Sequence, residues 1–134
     1  MKCIILTNFG STDQFEYRDI SRPSIAPDEV LVKTKAISIN PVDIKTRKGK
    51  GQAARLKDDP PMILGWDISG IIIEVGDSVN NLKIGDEVFG MIRLPGHGRA
   101  YAEYVAAPAA HLTKKPTNIS HEEAAAATLA AMTA

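Results

Sequence analysis

Glycine and proline divide most of this 134-residue chain into short apolar segments, and this division limits the fold more than any other feature. Several segments alternate apolar and polar side chains, which is the two-residue period of a half-buried strand. The segment 69–76 is continuously apolar, which predicts a strand buried on both sides. The predicted strands are residues 2–7, 15–20, 29–39, 69–76, 85–92 and 101–108. Short strands separated by turns predict a mainly β fold, a small barrel or sandwich.

Two segments carry the signals of a helix start. In "NPVD", Asn40 is the predicted N-cap, Pro41 suits the first helical position and Asp43 lies in the first turn. In "SHEE", Ser120 and Glu123 predict a capping box. An alanine-rich helix is predicted to follow.

The alanine-rich segment is apolar nearly all round, which is typical of a helix buried against a partner. No other segment of the chain is an evident partner, and no glycine, asparagine or basic cap ends the helix. We therefore expect a fragment with a barrel over residues 1–119. Residues 120–134 would then begin a helix that leads to a second domain.

The charge balance argues against two classes of partner. Lys+Arg and Asp+Glu number 16 each, so the formal net charge is zero. A neutral chain has no electrostatic footprint for nucleic acid or an anionic membrane. A single cysteine, Cys3, excludes an intrachain disulfide and favours a cytoplasmic location.

Few side chains stand in the pattern of a metal or cofactor site. His97, His111 and His121 are scattered, which predicts surface or capping histidines rather than zinc ligands. The segment "GKGQAA" matches a dinucleotide fingerprint in letters only, because a basic turn and not a buried strand precedes it. Taken alone, Trp66 is predicted as core or pocket wall, and Asp67 as a cap or hydrogen-bond anchor.

Several stretches together resemble the N-terminal, GroES-like domain of the medium-chain dehydrogenase/reductase superfamily, in its zinc-independent quinone oxidoreductase branch. The similarity covers nearly the whole chain. It rests on "AISINPVDIKTRKG", "PMILGWDISGIIIEVGDSVNNLKIGDEVFG", "GRAYAEYVAAP" and "EEAAAATLAAMTA". The resemblance implies a GroES-like, partly open β-barrel with short helices. It also implies a Rossmann domain, outside this chain, that binds most of an NADPH cofactor.

The resemblance also implies which residues form the site. Zinc members carry their three catalytic ligands where this chain has Asn40, Trp66 and Leu129, so no metal is expected. Asn40 and Asp67 are implied as catalytic residues, and Trp66 and Tyr101 as walls of the substrate pocket.

The residues implied to contact the cofactor are Asn40, Lys45 and Thr133. Hydrogen-bond donors such as the Asn40 amide or the Tyr101 hydroxyl are expected to stabilise charge that develops on the substrate oxygen.

The resulting hypothesis is a reductase that transfers hydride from NADPH to a small-molecule quinone or enone. A 2-enoyl thioester reductase and a zinc-type alcohol dehydrogenase relative of the same superfamily are alternatives, and a non-enzymatic β-barrel interaction module is another. The isolated chain is expected to be inactive and not to bind NADPH tightly. The sequence leaves open a homodimer.

Overall fold

A computed structural model of the chain describes residues 1–133. All six predicted strands are present, within a few residues of the predicted ends, and a short seventh strand was not predicted. The strands are β1 (Lys2–Leu6), β2 (Phe15–Asp19), β3 (Glu29–Ser38), β4 (Asp67–Val75), β5 (Glu87–Met91), β6 (Tyr104–Pro108) and β7 (Thr113–Lys114). The mainly β prediction is therefore confirmed.

The strands form two sheets that are joined through β1. Five antiparallel strands lie in the order β6-β3-β4-β5-β7, and β1 and β2 form a separate antiparallel pair. Backbone hydrogen bonds tie β1 to the segment before β6, from Ile4 N to Tyr101 O at 3.0 Å and from Glu103 N to Lys2 O at 3.0 Å. The outer strands β6 and β7 are not paired with each other, so the barrel is partly open, as predicted.

The centre of the larger sheet is the β3–β4 pair. The first four residues of β4 are buried, whereas Glu74 near its end is exposed, so the predicted two-sided burial holds for the first half of the strand. A Cβ atom on Gly70 would lie 2.2 Å from the Lys33 carbonyl oxygen. The side-chain-free glycine therefore permits the close approach of β3 and β4.

Four α-helices, α1 (Pro41–Arg47), α2 (Ala53–Leu56), α3 (His121–Ala126) and α4 (Leu129–Thr133), and two 3-10 helices, Thr12–Gln14 and Ala109–His111, complete the described part of the chain. The sequence did not predict α2, which begins at the end of the "GKGQAA" segment. The longest helix has seven residues, and no helix within residues 1–133 could span a membrane.

Both predicted N-cap residues lie at helix starts, but only one of them caps its helix with a side-chain hydrogen bond. The Ser120–Glu123 capping box is confirmed, because Ser120 Oγ accepts from Glu123 N at 3.0 Å and Glu123 Oε1 accepts from Ser120 N at 3.0 Å. Asn40 is the N-cap residue of α1 and Pro41 its first residue, as predicted, but the Asn40 side chain makes no capping hydrogen bond. Its amide is directed to another partner, described below.

The prediction of one continuous alanine-rich helix without cover is wrong. The helix breaks at Ala127 and Thr128, where Leu129 N donates to the side chain of Asp67. Ala124 and Ala125 are fully buried, on a helix that packs against β3, β4 and β5. The sheet therefore covers one stripe of α3, while the alanines on its other face are exposed. The predicted division between residues 119 and 120 stays a prediction.

Candidate functional site

The carboxylate of Asp67, the first residue of β4, is the centre of a buried polar cluster. Its side chain has no solvent exposure. Oδ2 accepts hydrogen bonds from Ser38 Oγ at 2.6 Å and from Asn40 Nδ2 at 3.0 Å. Oδ1 accepts from Thr128 Oγ1 at 2.6 Å and from Leu129 N at 3.2 Å. We call Ser38, Asn40, Asp67 and Thr128 the Asp67 cluster.

The Asp67 cluster joins three parts of the chain that are far apart in sequence. Ser38 ends β3, Asn40 precedes α1, and Thr128 lies between α3 and α4. A carboxylate offers about four lone-pair sites, and four donors occupy them here. Asp67 is therefore placed to fix the relative positions of β3, α1 and α4. A catalytic role for Asp67 stays a prediction.

Asn40 is held by the same carboxylate. The side chain is 5% exposed, and Nδ2 lies 3.0 Å from Asp67 Oδ2 and 3.2 Å from Ser38 Oγ. The amide NH2 group therefore donates towards the carboxylate, and Oδ1 remains as an acceptor. The role of Asn40 as a donor to developing charge on a substrate oxygen stays a prediction.

Trp66 lies entirely inside the protein. Its side chain has no exposure, and Nε1 donates to the Gly96 carbonyl oxygen at 3.0 Å. It shares an apolar cluster with Leu6, Leu56, Leu64 and Leu129. A small molecule cannot touch Trp66 in this conformation, so any contribution to a pocket wall would act through the residues that pack on it.

Tyr101 is paired with Asp43, a buried residue of α1. The Tyr101 hydroxyl donates to Asp43 Oδ2. Burial raises the pKa of Asp43 above its ordinary value, although the bond from Tyr101 acts in the opposite direction. Burial, with the bond to Asp43, also raises the pKa of Tyr101. The single Tyr101 proton is thus already donated, so in this arrangement the predicted donation to a substrate oxygen lacks a free proton.

The other two predicted cofactor residues lie on exposed helix surfaces. Lys45 makes no ion pair or side-chain hydrogen bond within the described residues, and its side chain is exposed. Thr133 is one turn beyond Leu129, and its hydroxyl donates to the Leu129 carbonyl oxygen at 3.0 Å. The Asp67 cluster brings Asn40 next to the start of α4, whereas nothing in it contacts Lys45.

Sequence reasoning missed three polar residues that the structure makes important. Ser38 and Thr128 bind Asp67, and Asp43 binds Tyr101. One signal was available: Thr128 is the only polar residue between Ala124 and Met132. A polar residue at a helical position in such a run needs a partner when it is buried.

One histidine has a role that the sequence did not predict. His121 Nδ1 lies 2.6 Å from Ser69 Oγ, and Nε2 lies 3.1 Å from Glu87 Oε1. His121 therefore attaches the start of α3 to β4 and β5. Among residues 1–133, no three His, Cys, Asp or Glu side chains come together in a way that could hold a metal ion.

Comparison with known proteins identifies similar sequences and structures. The family model described as "Alcohol dehydrogenase GroES-like domain" matches residues 26–117. Over 141 residues the chain is 40% identical to 2-methylene-furan-3-one reductase from Solanum lycopersicum. It is 37% identical over 141 residues to NADPH-dependent alkenal/one oxidoreductase, chloroplastic, from Arabidopsis thaliana. Each alignment covers 100% of this chain and 36% of the relative.

A solved structure agrees with these relatives. The quinone oxidoreductase from Coxiella burnetii superposes with a TM-score of 0.95 at 40% identity, covering 99% of this chain and 42% of that one. The chain therefore spans about two fifths of the length of the proteins it matches.

Proposed function

The chain belongs to the alcohol dehydrogenase GroES-like domain family, and from this membership we propose that it forms the barrel of a zinc-independent, NAD(P)H-dependent oxidoreductase. The proposed substrates are quinones or activated carbon–carbon double bonds. The relatives support this class, because their names include a furanone reductase, an NADPH-dependent alkenal/one oxidoreductase and a quinone oxidoreductase.

The observation that best supports the proposal is that Trp66 and Leu129 lie in one apolar cluster, which does not suit a metal. By resemblance, zinc members of the superfamily have ligands at positions 40, 66 and 129. An indole N–H is only a donor, and leucine has no ligand atom. Trp66 is fully buried and Leu129 is 5% exposed in the same apolar cluster. The amide of Asn40 is directed to Asp67, so the residues at these three positions do not fit a zinc site.

The proposed substrate class follows because the residues at positions 40, 66 and 129 are unsuitable zinc ligands. In a dehydrogenase, zinc acts as a Lewis acid that stabilises negative charge on the substrate oxygen. A simple alcohol or ketone depends on that help. A quinone or an enone spreads the charge over its own conjugated system, so the protein mainly has to position it.

Asn40, Lys45 and Thr133 offer groups that suit a nicotinamide cofactor. NADPH supplies hydride when it is bound. Asn40 Oδ1 and Thr133 Oγ1 are acceptors that suit the N–H groups of a carboxamide. The unpaired Lys45 ammonium suits a phosphate. Through its bonds to Asn40 and Leu129, Asp67 would hold two of these groups in place.

The experiment is a comparison of substrates and metal content in the whole protein. We expect NADPH oxidation with 1,4-benzoquinone and with an α,β-unsaturated ketone, no oxidation of simple alcohols, and no loss of rate with a zinc chelator. Stoichiometric zinc together with alcohol turnover would assign the protein to the zinc-type dehydrogenases and refute the proposal. Preference for a 2-enoyl thioester would favour the enoyl reductase alternative. No NADPH oxidation with any acceptor would favour an interaction module.

A further inference from the structure

A cavity with a volume of about 400 Å³ lies between α1 and the first two strands. Most of its wall is apolar, and Ile39 and Ile44 are 70% and 45% exposed. Two polar side chains, Asp43 and Tyr101, meet in this wall. The lining includes Phe15, Ile39, Asp43, Ile44, Arg47 and Tyr101. Cavities that bind small molecules have this composition, an apolar wall with a few convergent polar groups, and volumes upward of about 300 Å³.

The carboxylate in this wall lacks the partners that a buried charge requires. Asp43 is 2% exposed, and its Oδ1 has no hydrogen-bond partner within the described residues. Arg47 also lines the cavity, but its guanidinium donates to the Gly10 carbonyl oxygen at 2.6 Å and makes no ion pair with Asp43. Burying a charge without a cation and with a single side-chain donor is unfavourable. Buried polar atoms without partners are rare and call for a specific explanation.

The hydrogen bond between the two residues determines which ligands suit the cavity. A tyrosine hydroxyl has one proton, and Tyr101 donates it to Asp43. The Tyr101 oxygen keeps acceptor capacity, which the adjacent carboxylate strengthens by polarising the O–H bond. A ligand must therefore bring the donor. An anionic ligand would be repelled by Asp43.

We propose that this cavity is a binding site for a small, uncharged aromatic molecule that donates a hydrogen bond, of the chemical class of phenols. Its ring lies against Ile44 and Phe15, and its hydroxyl donates to Tyr101 Oη. No residue of the Asp67 cluster lines this cavity, and Tyr101 is the one residue that it shares with the substrate pocket implied by the resemblance.

The test is a calorimetric titration of the protein with phenol and with benzoate, in the absence of NADPH. We expect phenol to bind in the millimolar range and benzoate to bind at least about 10-fold more weakly. Tyr101→Phe removes the acceptor and should weaken phenol about 10-fold. Tyr104→Phe, outside the cavity, should not. Asp43→Asn removes the repelling charge, and the preference for phenol over benzoate should fall.

A second variant tests the proposal independently if Tyr101→Phe does not fold. Ile44 is half-exposed, so Ile44→Ser should fold and still weaken phenol. Ile84→Ser is the matched control, because Ile84 is 66% exposed and lies outside the cavity. The proposal is overturned if phenol does not bind at millimolar concentration. It is also overturned if benzoate binds equally well, or if Ile44→Ser and Ile84→Ser bind phenol alike. None of these results depends on quinone reduction, so the two proposals fail separately.

Discussion

Two buried aspartates of this protein have opposite surroundings. Asp67 is fully buried, and four donors from three parts of the chain occupy both of its oxygens. Asp43 is 2% exposed, yet Tyr101 is its only side-chain donor and Oδ1 has no partner among the described residues. The two carboxylates are therefore similarly buried, but hydrogen bonds stabilise the charge of Asp67 far more than that of Asp43.

The difference suggests different roles for the two carboxylates. A buried charge that is fully hydrogen-bonded holds its neighbours in place, and removing it leaves several donors without partners. A buried charge with few partners contributes little to folding and instead lines a cavity. We therefore expect substitutions at Asp67 to affect stability, and substitutions at Asp43 to affect ligand preference.

The largest effect is expected for Asp67→Asn. The new NH2 group would face donors where an acceptor oxygen stood, and at least two hydrogen bonds would be lost in a site without water access. We expect the free energy of unfolding to fall by about 3–5 kcal/mol, measured by urea denaturation at neutral pH. Asp77→Asn is the control because Asp77 is exposed. A loss below about 1 kcal/mol would show that the cluster does not hold the fold.

A smaller effect is expected for Thr128→Val, which removes one donor of the four and keeps the side-chain shape. Asp67 would retain Ser38, Asn40 and Leu129 N. We expect a loss of about 1–2 kcal/mol and faster hydrogen exchange at the Leu129 amide, because the junction between α3 and α4 is loosened.

Thr117→Val is the control for Thr128→Val, since Thr117 is exposed and makes no side-chain hydrogen bond within residues 1–133. If both threonine variants lose the same stability, the loss reflects the different conformational preferences of threonine and valine. It would then not reflect the bond from Thr128 to Asp67.

The sequence predicted the local features of the fold well. The strands were predictable because alternation and turn residues act over a few neighbouring positions. The Ser120–Glu123 capping box was predictable for the same reason. The break at Thr128 was not, because it depends on Asp67, which lies 61 residues away in the chain.

The candidate site was predicted only in part. The resemblance selected Asn40, Asp67 and Tyr101, and the structure shows that each is engaged in a side-chain hydrogen bond. It did not reveal that Asn40 donates to Asp67 and that Tyr101 donates to Asp43. That outcome depends on which side chains meet in three dimensions, and no sequence period encodes such a meeting.

The smallest effect on stability is expected for Asp43→Asn, and it should depend on pH. Tyr101 can still donate to the amide oxygen, and the unpaired group becomes neutral, so at neutral pH the free energy of unfolding should change by no more than about 1 kcal/mol. Burial holds the pKa of Asp43 above the ordinary value of 3.8. The folded protein therefore binds this proton more readily than the unfolded chain does.

The contribution of Asp43 to the free energy of unfolding should accordingly fall as the pH rises from 3.8 to the raised pKa of Asp43, and it should be constant above that pKa. Asp43→Asn lacks the titrating group, so its stability relative to the native protein should improve across that interval. Urea midpoints from about pH 3 to about pH 7 measure the difference. Tyr101→Phe removes the only side-chain hydrogen bond that lowers the pKa of Asp43 and leaves those from the backbone, so the interval should extend to higher pH. A difference between Asp43→Asn and the native protein that does not vary with pH would mean that Asp43 is as well stabilised as Asp67, and the comparison between the two carboxylates would fail.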